Sequence, residues 1–185
     1  MRTIKKKIAE YYKYLTLYKY YIKKNSFSDK PERKRIVVCF DGKVPHGGLV
    51  DRLKGIISFY EVSKILDFDF KILFNHPFEL TDFLEPNTVN WNINENELKY
   101  SLFSSRILYL INNFNVNPLK LIKDSKAKAF FVYVNVDYLS VLYPDKKKEE
   151  LEEIWRKNYN TLFKTSTYLN DKVILGTNES RVVFH

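Results

Sequence analysis

HGGLVDRLKG, residues 46–55, holds three of the chain's five glycines. It follows the β-branched run RIVVCF at 35–40. From Leu49 onward the apolar residues, including Leu53 and Ile56, recur at helical spacing. The stretch is therefore predicted to be a tight turn between a buried strand and a helix. Glycine permits positive φ there and lets another backbone or a ligand come close.

A second apolar run, DFKILF at 69–74, completes a strand–helix–strand unit over residues 35–74. Such a unit normally gives parallel strands joined by a right-handed crossover. Further strands are predicted at RILYLI, 106–111, and FFVYVNV, 130–136, and a helix at 147–163. The fold class is therefore α/β, a Rossmann-like parallel sheet with flanking helices, preceded by an N-terminal amphipathic helix.

The glycine turn has two interpretations from its residues alone. Ligands of open α/β sheets bind beyond the carboxyl ends of the strands, and a helix N-terminus suits an anion. An anionic or sugar ligand could therefore lie over Gly47 and Gly48. The spacing matches neither GxGxxG nor a P-loop, however. In the alternative the turn is only structural, and Gly55 allows the helix to pack closely on a strand.

The longer stretch at 46–87 resembles the N-terminal region of fucosyltransferase-like glycosyltransferases of the two-Rossmann-domain (GT-B) type. The resemblance lies in the Gly-Gly-Leu-x-Asp-Arg-Leu-x-Gly turn and in the string DFLEPN at 82–87. It implies transfer from the donor GDP-fucose to a hydroxyl of a glycan acceptor, without a metal ion or other cofactor. The implied donor- or acceptor-binding residues are His46, Gly47, Gly48, Leu49, Asp51, Arg52 and His185, and no catalytic residue is assigned.

By the same resemblance Asp51 faces the interdomain cleft, while Arg52 either points into it or braces the loop. The second domain of such enzymes supplies most nucleotide contacts, including a His-x-Arg element. This chain ends RVVFH, so His185 matches only the histidine of that element. We therefore expect residues 35–185 to be a truncated N-terminal domain that is inactive alone. The alternative is a non-enzymatic carbohydrate-binding or interaction module at a membrane surface.

Residues 1–34 are predicted to be a basic amphipathic helix and a linker. The apolar positions Ile4, Ile8, Tyr11, Leu15, Tyr18 and Ile22 recur at helical spacing. Residues 1–35 carry the whole net charge of +9, and basic and acidic residues balance in the remainder. A body without a basic excess argues against a nucleic-acid partner. The helix is expected either to lie on an anionic membrane surface through residues 1–24 or to dock on the body.

The remaining signals are weaker. A single cysteine and the lack of a secretory leader favour a cytoplasmic protein, peripheral at the inner membrane face. The three histidines share no metal-ligand spacing. Trp91 follows a polar segment and is a candidate platform for sugar stacking, and Asp82 and Glu85 form a candidate acid/base pair.

Overall fold

The computed structural model describes residues 2–24 and 32–170, with side chains from residue 11 onward in the first range. His185 and most of the linker lie outside the described residues. The main helices and strands follow in chain order: α1 Arg2–Lys23, β1 Arg35–Phe40, α2 Leu49–Leu66, β2 Asp69–Phe74, β3 Leu84–Pro86, β4 Ser105–Leu110, α3 Pro118–Lys123, β5 Ala129–Val134, α4 Leu139–Leu142, α5 Lys148–Leu162 and β6 Phe163–Thr165. Short 3₁₀ turns occur at Leu80–Asp82 and Glu95–Glu97.

Four strands form a parallel sheet in the order β2-β1-β5-β4. The α/β prediction is confirmed, and β1 and β2 have the predicted bounds. All six residues of β5 are buried, as expected for a central strand covered on both faces. A second, antiparallel pair joins β3 to β6. The sequence did not predict this pair, because three-residue strands carry too little alternation to be recognised.

The sheet has a helical layer on each face. Ile36, Val38 and Phe40 of β1 share one apolar cluster with the buried side of α2, and α5 packs against the same cluster. Val37 and Cys39 point to the other face, where they join Leu17 and Tyr21 of α1, among others. The alternation along β1 therefore supplies both cores.

Helix α1 is docked on the sheet, but not through the face that its periodicity indicated. Leu17 and Tyr21 are fully buried, whereas Tyr11, Tyr18 and Ile22 are exposed. Within the part of α1 whose side chains are described, the predicted stripe at Tyr11, Tyr18 and Ile22 thus faces outward. Periodicity located a stripe of large residues correctly, but tyrosines on both sides of the helix made the buried side ambiguous.

Gly55 fixes how closely α2 approaches the sheet. A Cβ atom at this position would lie 2.8 Å from Val134 Cγ1 and 3.0 Å from the Val134 carbonyl oxygen. Any larger side chain would have to push α2 away from β5. The predicted close packing of Gly55 on a strand is confirmed.

Gly55→Ala is expected to lower the free energy of unfolding by about 1–3 kcal/mol, because the added methyl meets backbone that cannot move freely. Urea denaturation measures the change. Gly48→Ala is the matched control: its φ is −72° and a Cβ there meets nothing within 4 Å. The control should stay within about 1 kcal/mol of the wild type. Equal stability of the two variants would contradict the packing argument.

Candidate functional site

The loops after β1, β4 and β5 meet at the carboxyl edge of the sheet. Strand β1 is flanked by β2 on one side and by β5 on the other, and the chain crosses from the β2 edge to the β4 edge. The carboxyl ends of the two central strands, β1 and β5, therefore lie side by side at this edge. Open α/β sheets bind ligands in crevices outside the carboxyl ends of their strands.

The glycine turn leads from this edge into α2. Gly47 has a φ of +79°, a conformation that strongly favours glycine, and Gly48 is the N-cap residue. The first helical hydrogen bond is donated by Arg52 N to the Gly48 carbonyl oxygen at 3.2 Å. The amides that precede it in the first turn have no acceptor within the helix. The predicted turn is confirmed, and Leu49, its next residue, is partly exposed as the first residue of α2.

Arg52 braces the turn. Its Nε donates to the Gly47 carbonyl oxygen at 3.1 Å, and its Nη1 donates to the His76 carbonyl oxygen. The guanidinium also lies over the Phe74 ring, 5.2 Å from the ring centroid. Partial burial lowers the pKa of Arg52 from its ordinary value. The side chain thus joins the loops that follow β1 and β2.

Asp51 faces a crevice of about 310 Å³ at the carboxyl edge of the sheet. The lining residues are Asp51, Lys54, Asn112, Phe114, Asn135, Val136 and Asp137. Asp51 is half exposed, and its Oδ1 lies 3.1 Å from Lys54 Nζ. The crevice therefore brings the start of α2 together with the ends of β4 and β5.

Two asparagines hold the far wall of the crevice. Asn112 has a φ of +53°, and its backbone N–H donates to Asn135 Oδ1 at 2.7 Å. Asn135 Nδ2 donates back to Asn112 Oδ1 at 3.0 Å. This reciprocal pair ties the end of β4 to the end of β5. The sequence pattern singled out neither residue, although Asn112 follows the predicted strand at 106–111 and Asn135 directly follows β5.

Asp137 is fixed by the neighbouring backbone and α2. Its Oδ1 accepts from Leu139 N at 2.8 Å and from Ser58 Oγ at 3.3 Å. Asp137 also lines an adjoining groove of about 350 Å³, together with Leu139, Ser140, Lys148, Leu151, Glu152 and Trp155. The crevice and the groove therefore share one residue.

The tryptophan beside the site is Trp155, not Trp91. Trp91 is buried, and its Nε1 donates to the Leu162 carbonyl oxygen at 2.7 Å. Its proposed role as an exposed stacking platform was wrong. The polar sequence around Trp91 concealed its contacts with α5 and β6, which are distant in the chain. Trp155 stacks on Tyr159, with ring centroids 5.3 Å apart.

His46 is enclosed rather than open to the crevice. It is 3% exposed, and its ring lies between Phe40 and Tyr133, with centroid distances of 4.9 and 5.6 Å. Neither ring nitrogen has a hydrogen-bond partner among the described residues. Burial lowers the pKa of His46 to about 4, and the nearby Asp41 opposes this only in part. A contact between His46 and a ligand stays a prediction.

A buried carboxylate ties α1 to the same loop. Asp41, directly after β1, accepts from Tyr133 OH at 2.8 Å and lies 3.1 Å from Lys43 Nζ. Tyr133 OH is in turn 3.0 Å from Tyr21 OH of α1. Burial, with added repulsion from Cys39, raises the pKa of both tyrosines, so both hydroxyls stay protonated. The helix on one face of the sheet is therefore bonded to the base of the glycine loop.

Metal-binding groups, the Asp82–Glu85 pair and membrane-spanning helices add little to the site. Within residues 2–24 and 32–170, no group of three His, Cys, Asp or Glu side chains is arranged to hold a metal ion. Asp82 and Glu85 lie beside the β3–β6 pair, and Glu85 Oε2 is 3.5 Å from Lys164 Nζ. No helix in this part of the chain is both long and apolar enough to cross a membrane.

Comparison with known proteins gives one structural neighbour. No family model and no curated protein matches the chain. The fold is similar to that of an Arabidopsis thaliana FUT1 mutant in complex with GDP, with a TM-score of 0.50 and 14% sequence identity. The match covers 88% of this chain and 43% of the FUT1 chain. At this identity the likeness concerns the fold, a Rossmann-like half of a GT-B architecture.

His46→Leu is expected to flatten the pH dependence of stability between about pH 6.5 and pH 4. Because the folded-state pKa lies below the ordinary value near 6.5, the unfolded chain binds the proton first as pH falls. The wild type should therefore lose up to roughly 3 kcal/mol over this window, a loss that the variant avoids.

Urea midpoints across this pH range measure the effect, and the difference between wild type and variant removes the contribution of groups common to both. Parallel curves for His46→Leu and the wild type would show that His46 is not held neutral.

Proposed function

We propose that this chain is the acceptor-side half of a fucosyltransferase-like glycosyltransferase, with GDP-fucose as the donor and a glycan as the acceptor. The observation that carries the proposal is the crevice at the carboxyl edge of the sheet, where Asp51 of α2 lies with Asn135 and Asp137. The fold likeness to GDP-bound FUT1 and the sequence resemblance at 46–87 support the same reading.

The side chains of the crevice suit hydroxyl groups. Carboxylates and amides accept and donate the hydrogen bonds that sugar hydroxyls need. The lining holds two carboxylates, Asp51 and Asp137, against one ammonium group, Lys54. This balance disfavours a pyrophosphate and favours a neutral sugar. The acceptor therefore fits here better than the nucleotide, which we assign to the second domain of such enzymes.

Gly48 supports a close approach by a ligand. Its backbone is in the extended region, and a Cβ would meet no protein atom within 4 Å. Ser, Thr, Asp or Asn would cap the helix better, and Gly48 makes no side-chain cap bond. Neither backbone conformation nor packing requires glycine at this position. Space for a sugar against the Gly48 backbone would explain why this position is glycine.

The reaction would form one bond and break another at the anomeric carbon of fucose. The acceptor hydroxyl oxygen attacks that carbon, the bond to the β-phosphate oxygen breaks, and GDP leaves with the electron pair. The hydroxyl proton passes to a base. Asp51 is our candidate, since it is half exposed, whereas Asp137 Oδ1 already accepts two hydrogen bonds.

A second candidate function is glycan binding without transfer. The groove that shares Asp137 with the crevice is lined by Trp155, Ser140 and Glu152. An aromatic ring flanked by polar groups is a common lining of small-ligand sites. This function uses the same residues, and a transfer assay with GDP-fucose separates the two. Binding of a glycan without any turnover would favour the second.

Asp51→Asn is expected to weaken glycan binding by about tenfold, because a charge-assisted hydrogen bond becomes a neutral one. Amide chemical shifts of the ¹⁵N-labelled chain, titrated with methyl β-galactoside, diacetylchitobiose, GDP and GDP-fucose, give the affinities. Asp145→Asn is the matched control, an exposed aspartate outside the crevice. Shifts that spare Gly47, Gly48 and Asn135, or equal affinities for both variants, would contradict the proposed site.

Gly48→Ala should keep the wild-type melting temperature and lose most of the affinity for the same probes, since the methyl would occupy the space given to the sugar. Gly47→Ala should instead lose stability by about 1–2 kcal/mol, because its φ is positive. Thermal melts and the same titrations distinguish the two effects. Unchanged binding by Gly48→Ala would leave the turn with a structural role alone.

A further inference from the structure

Helix α1 presents an outward face of tyrosines and aliphatic residues. Tyr11, Tyr12, Tyr18 and Ile22 are exposed by 62%, 65%, 37% and 40%. The exposed lysines Lys19 and Lys23 lie among them in the sequence and near them around the helix. Ile4, Ile8 and Leu15 continue the same sequence spacing. Single hydrophobic residues scattered over a surface are normal, whereas a contiguous stripe of this kind marks an interaction surface.

The opposite side of α1 is already occupied. Leu17 and Tyr21 are buried on the sheet, and Tyr20 OH donates to Glu95 Oε1. Lys24 Nζ adds a hydrogen bond to the Glu95 carbonyl oxygen at 3.1 Å. The helix is thus ordered and oriented in the folded protein, so its outward face can bind a partner without paying for helix formation.

Charge identifies the partner. The sequence of α1 contains seven basic residues and one acidic residue, and so carries +6 of the chain's net charge of +9. Such a helix would repel a second copy of itself. Tyrosine side chains favour the boundary between water and lipid, and lysines favour anionic headgroups. Aliphatic residues at Leu15 and Ile22 suit acyl chains and have no role on a phosphate backbone.

We propose that the outward face of α1 binds an anionic lipid surface. The helix lies in the plane of the headgroups, its tyrosines and aliphatic side chains enter the interface, and its lysines contact acidic lipids. The sheet then lies on the far side of α1 from the lipid. This inference rests on the exposure and charge of α1 and is independent of the proposed glycosyl transfer.

The test is co-sedimentation of the whole chain with vesicles of phosphatidylcholine alone and with roughly 30% phosphatidylserine. The wild type should bind the anionic vesicles and release as salt rises towards about 1 M. Tyr12→Gln/Tyr18→Gln/Ile22→Gln and Lys19→Gln/Lys23→Gln should each bind about tenfold more weakly. Lys148→Gln/Lys157→Gln, on the exposed side of α5, is the charge-matched control and should bind like the wild type.

Circular dichroism of each variant checks that the fold is intact, since none of the substituted residues is buried. The proposal is overturned if the wild type ignores anionic vesicles, or if the α5 control loses as much binding as the α1 variants. It is equally overturned if sedimentation equilibrium shows a dimer that the Tyr12/Tyr18/Ile22 variant dissociates and vesicles do not bind. Binding to single-stranded RNA in place of vesicles would also count against it.

Discussion

The arrangement of the site depends on the contact between Gly55 and Val134. Because glycine has no side chain, α2 lies close against β5, and its first turn lies beside the residues that follow that strand. Gly47 therefore lies near Asn135, whose Nδ2 would be 3.7 Å from a Cβ atom at position 47. A larger residue at position 55 would move the helix N-terminus and the crevice wall apart. The absence of a side chain at position 55 thus determines the geometry of a crevice to which α2 contributes Asp51, about one helical turn away.

The neighbouring residue of β5 does the same for the other face. Val134 contacts α2, whereas Tyr133 points to the α1 side and donates to the buried carboxylate of Asp41. Burying a carboxylate is costly unless hydrogen bonds and an opposite charge compensate it, and Tyr133 and Lys43 supply both. Asp41 begins the loop that carries the glycines. Helix α1 is linked to Asp41 through Tyr133, and α2, which follows the loop, packs on the adjacent residue Val134. The loop is therefore held from both layers of the fold.

Much of the fold was predictable because it rests on local patterns. The strands β1 and β2 are continuous apolar runs, and the glycine turn between β1 and α2 follows from composition and spacing. The site was only half predictable. Asn112 and Asn135 become partners through a pairing of β4 with β5 that no local pattern encodes. The burial of Trp91 and the docked side of α1 likewise depend on contacts with distant segments, which the periodicity of one helix or one loop cannot contain.

The three glycines of HGGLVDRLKG meet three different physical demands. Gly55 is required by packing, since a Cβ would lie 2.8 Å from a side chain and 3.0 Å from a backbone oxygen. Gly47 is required by conformation, since its φ is +79°. Gly48 meets neither demand: its backbone is extended, its surroundings are open, and as an N-cap it is inferior to the polar residues that usually occupy that position. A fold alone accounts for two of these glycines. The third is the N-cap of α2, three residues before Asp51 of the crevice, where a ligand against the backbone would explain it.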